Sequence, residues 1–196
     1  MKFPLGTIAF LYQSGIDRIE RAFETSIAQI AIDQAAARKE YEDYLASGKD
    51  DSEYEYDDEG YSHLIHSTAF DLDYATMEVD LSAQAICEAF IITTYHYWEK
   101  CAKSWTGKDG IESLTESSPY RTDSKLPALN KLNNHLKHSS KLGRMVALHG
   151  EWANLFQVEP HRVPETNKAH WILTVQTDHV REAFRIVRAS GPVYTT

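Results

Sequence analysis

The residues from Leu129 to Ser140 read Leu-Asn-Lys-Leu-Asn-Asn-His-Leu-Lys-His-Ser-Ser. Asn130, Asn134, His138 and Lys141 recur three or four positions apart, which sets them in one row if the segment is helical. That row holds amides, an imidazole and an ammonium group but no carboxylate, whereas a solvated row more usually interleaves Glu with Lys. Such groups donate hydrogen bonds and positive charge, the chemistry that holds a phosphate. A histidine among them adds a proton donor or acceptor suited to neutral pH. From Arg121 to Arg144 six bases (Arg121, Lys125, Lys131, Lys137, Lys141 and Arg144) meet one acid, Asp123. On residue types alone, an ordinary wet helix face is the competing reading.

Other chemistry is sparse. The chain has no G-x-G-x-x-G, no phosphate-binding G-x4-G-K-[ST], no H-E-x-x-H, no G-x-S-x-G and no C-x-x-C. Cys87 and Cys101 lie fourteen residues apart in one expected helix, about 21 Å along its axis, so they do not bridge each other and read as core residues. His63 with His66 and His135 with His138 are i, i+3 pairs, but a zinc site needs three or four converging ligands and no cysteine lies near them. The expectation is therefore no metal and no cofactor.

The second feature is acidic. Glu40 to Gly60 carries ten acids against Lys49 alone, which equals the whole chain's net charge of -9. Three tyrosines, Tyr54, Tyr56 and Tyr61, accompany them. The stretch reads as a solvated inter-helix loop, as a docking surface for a basic partner, or as an imitation of nucleic-acid phosphates. Its acid spacing does not fit a calcium loop. A chain of 196 residues, 42% hydrophobic and 25% charged, suits one globular domain and excludes collagen-like and wholly disordered classes. No apolar run reaches the length of a membrane span, no signal peptide is evident, and two cysteines fit a reducing compartment. A cytoplasmic location without membrane contact is expected.

These residues must be positioned by helices. Ser14 and Asp17 resemble a capping box, and Ile16, Ile19, Phe23, Ile27 and Ile30 continue at helical spacing, predicting a helix over 15–46 ended by Ser47-Gly48. An exposed acidic loop over 48–60 follows. A second helix starts within 62–70 and runs to about 105, with Val79, Ile86, Phe90, Thr93, Tyr97 and Cys101 as its stripe and Met77, Leu81, Ala85, Ile92 and Tyr95 widening it. A stripe this wide needs more than one neighbour, and Tyr95, Tyr97, Trp98 and Trp105 are residue types enriched at interfaces, so a homodimer is expected. Residues 107–125 read as a polar connector. Pro127 opens a third helix over 126–140 with Leu129, Leu132 and Leu136 inward. A shorter helix spans 145–156, Pro160 and Pro164 mark a loop, Trp171–Val175 is extended, and Asp178 caps a last helix to Val187, stopped by Gly191-Pro192. The fold class expected is all-α, an up-down bundle with a small C-terminal extended segment plus helix over 160–196, as a single domain.

The motif segment resembles the signature of the HEPN superfamily (higher eukaryotes and prokaryotes nucleotide-binding), which in many prokaryotic members reads R-N-x-x-K-H. Asn134, Lys137 and His138 match its latter part, while Asn133 stands where the family has arginine. The run Ala89 to Lys100, with its aromatics ending in Glu99-Lys100, is similar to the family's preceding helix, so the resemblance spans roughly 62–142. It implies an up-down bundle of four or five helices, often dimeric, with motif residues of two chains lining a cleft. Many members are metal-independent ribonucleases of toxin–antitoxin, CRISPR or phage-defence systems. Carried over, His138 is the acid/base residue, Asn134 orients it, Glu99 hydrogen-bonds from the neighbouring helix, and Asn133 marks the lost phosphate-holding arginine. Lys131, Lys137, Lys141 and Arg144 then supply positive charge for RNA. The expected function is RNA binding or a degenerate ribonuclease; the alternative is a non-catalytic helical interaction module or accessory subunit, using the acidic stretch.

Overall fold

The structure is a computed structural model that describes residues 5–138, 160–165, 168–173 and 175–193. Its elements are α1 (Leu5–Ala46), β1 (Glu53–Tyr56), β2 (Ser62–His66), α2 (Thr68–Thr106), α3 (Ile111–Glu116), α4 (Leu126–His138), β3 (Pro160–Glu165), β4 (Lys168–Leu173) and α5 (Thr177–Ala189). Helices dominate, with two antiparallel hairpins, β1–β2 and β3–β4. No helix among the described residues is long and apolar enough to cross a membrane. The chain divides into two compact units, Thr25–Ala85 and Met1–Glu24 with Ile86–Thr196.

The larger unit holds the core. From α1 it takes Ala9, Tyr12, Ile16 and Phe23, from α2 Cys87, Ile91, Tyr95, Trp98 and Ala102, and from α3 Leu114. Leu126, Leu129 and Leu132 of α4 join Val180, Ala183, Phe184, Ile186 and Val187 of α5. Helix α1 starts ten residues before the expected position, because Ala9 and Tyr12 extend the buried stripe upstream of Ile16. Ser14 therefore lies inside the helix and its carbonyl accepts from Arg18 Nε, so it caps nothing. On α2 the buried positions are Cys87, Ile91, Thr94, Tyr95, Trp98 and Ala102, one step round from the expected stripe, and Thr93 is exposed.

The C-terminal end of α5 ties the core together. The Trp98 indole donates to Ser190 O at 2.7 Å, and the Tyr12 hydroxyl donates to Val187 O at 2.6 Å. Ser190 Oγ donates to Ile186 O and accepts the Asp123 N–H at 2.9 Å. Burial pushes the Tyr12 phenol well above its ordinary value, which keeps it a hydrogen-bond donor. Outside this node Arg181 binds Glu24 through two nitrogens, Arg188 reaches Asp17 and Glu20, and Arg185 bridges Glu182 and Asp123. These pairs are half-exposed, so each contributes roughly 0–1 kcal/mol and mainly fixes the orientation of α5.

Three local differences from expectation have clear causes. Residues 107–125 contain α3, whose Leu114 is fully buried. Pro160 and Pro164 lie in strand β3, paired with Leu173 and Ala169. They share a parity, so both missing N–H groups fall on one edge of a two-stranded hairpin, where no partner is lost. Helix α5 is capped by Gln176 with His179, whose Nδ1 accepts the Gln176 N–H at 2.9 Å, rather than by Asp178. The helix expected over 145–156 lies outside the described residues.

The smaller unit consists of two helix segments joined through the β1–β2 hairpin. The acidic stretch is not wholly loop: Glu53-Tyr54-Glu55-Tyr56 alternates with period two and pairs with Ser62–His66. Asp57 closes the turn by accepting the N–H groups of Glu59 and Tyr61, with Gly60 at φ 85°. His63 and His66 lie on strand β2, either side of an irregularity in its pairing at Ile65, and they meet Asp57 at 3.2 Å and Asp71 at 3.9 Å instead of each other. Within the smaller unit Ile27, Ile30, Gln34, Ala37, Tyr41 and Tyr44 of α1 are half-buried or buried at 3-4 spacing, as are Leu72, Thr76, Val79 and Ala83 of α2. The spacing sets each row along one side of its helix, and the two rows make the seam between the antiparallel segments. Gln34 Nε2 donates to Asp80 Oδ1 at 2.6 Å across it.

Asp51 ties the C-terminal end of α1 to the start of α2. It accepts the Tyr44 hydroxyl at 2.8 Å, the Thr68 N–H at 3.0 Å and the Thr68 hydroxyl. Those donors, the Thr68 hydroxyl foremost, hold its carboxyl down at about 2. A lowered folded-state value stabilises above the ordinary carboxylate range, and the gain disappears as pH falls through about 2. Replacing Asp51 by alanine is expected to speed hydrogen exchange at the Thr68 amide at pH 7, and to make little further difference at the acid extreme. Unchanged Thr68 exchange at pH 7 would show that the contact contributes nothing.

Candidate nucleic-acid interface

Helix α4 begins where Asp123 offers its carbonyl to the Leu126 N–H and its carboxylate to the Lys125 N–H at 2.8 Å. Leu126, Ala128, Leu129 and Leu132 turn one side inward. The other side presents Lys131, Asn134, Lys137 and His138, all exposed. Asn134 Nδ2 donates to Asn130 Oδ1 at 3.2 Å, one turn back. Lys137 Nζ donates to His96 Nε2 on α2 at 2.9 Å, joining the motif helix to the aromatic helix before it.

The four residues assigned catalytic roles are not gathered into one cluster by any described contact. Asn133, at the arginine's place, is 1% exposed, and its Oδ1 finds no hydrogen-bond partner among the described residues. Its Nδ2 makes only a long 3.5 Å contact to Asn134 Oδ1. Asn134 and His138 face solvent. Glu99 pairs with Lys103 at 3.4 Å along its own helix. Of the expected RNA-binding residues, Lys131 and Lys137 are exposed, whereas Lys141 and Arg144 lie outside the described residues.

Two features escaped the sequence. His96 pairs with Lys137, and its only signal was its place in the aromatic run preceding Glu99. His135 is half-buried with Nδ1 unpartnered, and burial pushes its imidazole below the ordinary value, favouring the neutral form. Nearby in sequence, Tyr120, Arg121, Asp123, Arg185, Pro192 and Val193 line a depression of about 470 Å³. Lys125 is committed to Glu182 at 2.6 Å, and with Arg185 it holds the Glu182 carboxyl down at about 2, the Arg185 hydrogen bond being the larger cause. Arg121 is exposed and has no ion-pair partner among the described residues.

Charge divides with the two units. Thr25–Ala85 has fifteen acids and three bases, net -12, which leaves +3 for the unit that carries α4. The α4 face can therefore hold phosphate oxygens with lysine, imidazole and amide donors. It offers no planar guanidinium fork at the buried position 133 and no described base-to-orienter hydrogen bond for proton transfer. Among the described residues no three His, Cys, Asp or Glu side chains converge as a metal site. Compared with protein-family models, with curated proteins and with solved structures, the chain finds no match.

Proposed function

We propose that the protein is a HEPN-like RNA-binding protein whose α4 face holds the phosphate backbone, with cleavage weak or lost. The observation that carries this reading is the exposed row Lys131, Asn134, Lys137 and His138, set beside His96 in the unit of net positive charge. The helix order supports it: an aromatic helix, a connector, then the motif helix. The buried Asn133 argues that binding outlives catalysis. A missing positioned charge donor typically lowers a rate about 10²–10³-fold, and lysine replaces arginine's fork poorly. A second reading, an interaction module or accessory subunit, is favoured by the acidity of the smaller unit.

RNA affinity is expected to fall steeply with salt, because lysine–phosphate contacts release counterions. Lys137→Ala should weaken binding of every sequence alike and reduce the salt slope by roughly one. His138→Ala should leave binding nearly intact and remove any cleavage. Restoring the family arginine by Asn133→Arg is not expected to restore activity, since the new guanidinium would enter a core that offers it no partner among the described residues. Filter binding and a labelled-RNA cleavage assay measure all three. Absence of RNA binding at low salt would overturn the reading.

A further inference from the structure

One face of α2 in the smaller unit is exposed and has no neighbour among the described residues. Phe70, Tyr74, Met77 and Leu81 stand at i, i+4, i+7 and i+11 and are 61%, 50%, 52% and 52% exposed. Each lies two positions before a residue of the inner seam of Leu72, Thr76, Val79 and Ala83, about 200° round the helix and so on its opposite side. The row is about 16 Å long and repeats the 4-3-4 spacing by which one helix receives the side chains of another. Four large apolar side chains left in water cost free energy that a docked helix would recover.

We propose that this row is the docking site for a basic amphipathic helix of a partner protein. The inference rests on the interaction-module reading and is independent of RNA binding. Charge selects the occupant. Asp71, Asp73 and Glu78 border the row, and Thr68–Ala85 contains no lysine or arginine. The whole smaller unit carries net -12. A second copy of this chain would bring the same acids against these, whereas a helix with leucines at matching spacing and lysines beside them satisfies both the row and its border.

The test uses the full chain and a fluorescent peptide of about five helical turns, with leucines in 4-3 spacing and lysines on either side. A peptide of identical composition, shuffled to destroy the period, is the control. Fluorescence anisotropy is expected to show binding about tenfold or more tighter for the periodic peptide. Met77→Gln with Leu81→Gln should remove that advantage, and Asp73→Lys with Glu78→Lys should weaken the periodic peptide while circular dichroism stays unchanged. If both peptides bind equally and only the charge reversal matters, the smaller unit is an acidic interaction module without this docking row, and the inference fails alone. If neither peptide binds, the inference and the module reading fail together. A sedimentation mass of two chains, reduced to one by Met77→Gln with Leu81→Gln, would show that a second copy covers the row and would likewise overturn the inference.

Discussion

Trp98→Ala is expected to destabilise the protein by about 3–5 kcal/mol, the usual range for removing a buried tryptophan. The indole is 1% exposed, packs against Tyr95 with ring centroids 5.7 Å apart, and donates to the Ser190 carbonyl at 2.7 Å. Its loss leaves a cavity at the junction of α2 and α5 and strips the Ser190 carbonyl of its short hydrogen bond, leaving it the 3.5 Å contact from the Tyr12 hydroxyl. Against a total of roughly 5–15 kcal/mol this is a large fraction, and the urea midpoint should fall by about 1–3 M. Trp98→Phe keeps most of the volume and should cost less, chiefly the hydrogen bond. A midpoint within experimental scatter of the unmodified chain would mean that the tryptophan is not part of the core.

Gly15→Ala should destabilise as well, against the ordinary trend. In an open helix alanine is favoured over glycine by about 1 kcal/mol. Here an added Cβ would lie 1.9 Å from the Tyr97 hydroxyl oxygen and 2.3 Å from its Cζ. The ring would have to leave, giving up its hydrogen bonds to Leu11 O and Tyr12 O and its stacking on Tyr12 at 5.7 Å. The expected cost is about 1–3 kcal/mol. In a Tyr97→Ala background the same Gly15→Ala change should cost nothing or stabilise, so a thermal double-mutant cycle should return a clear coupling energy. Additivity of the two substitutions would refute the close packing.

Periodicity read the positions well where a helix has one dominant buried side. Leu129 and Leu132 face the core as their spacing implies, Pro127 lies in the first turn of α4, and Gly48 and Gly107, at φ 65° and 66°, terminate α1 and α2. It failed where two signals overlapped. Ser14-x-x-Asp17 has the composition of a cap, yet Ala9 and Tyr12 carry the helix past it, because tertiary burial outweighs a local hydrogen bond worth about 1 kcal/mol. The charge density of Glu53–Tyr56 concealed its period-two pattern. The breadth of the α2 stripe was legible but its meaning was not. Tyr95 and Trp98 are enclosed within this chain rather than free for a dimer, while Met77 and Leu81 are the exposed ones. For the α4 face, residue types gave Lys137 and His138 their exposure, but Asn133 is buried although it adjoins exposed Asn134. Adjacent residues are about 100° apart round a helix, and sequence leaves open which side of that step meets the core.

The hydrogen bond from Tyr12 to Val187 spans 175 residues. During synthesis at 5–20 residues per second, that separation takes about 9–35 s to translate. Throughout that interval Ala9, Tyr12 and Ile16 exist without the α5 residues that complete their core. The smaller unit is different, since Gln34 meets Asp80 only 46 residues later. Its seam can therefore form early, while the N-terminal turns of the same α1 helix, met by Tyr97 of α2 after 85 residues, still wait for α5 to complete their cover. Loop closure over the longer span is also slow in the free chain. The burial that holds the finished molecule together is thus also the last to form, and the newly made N-terminal segment is the part most in need of protection from aggregation.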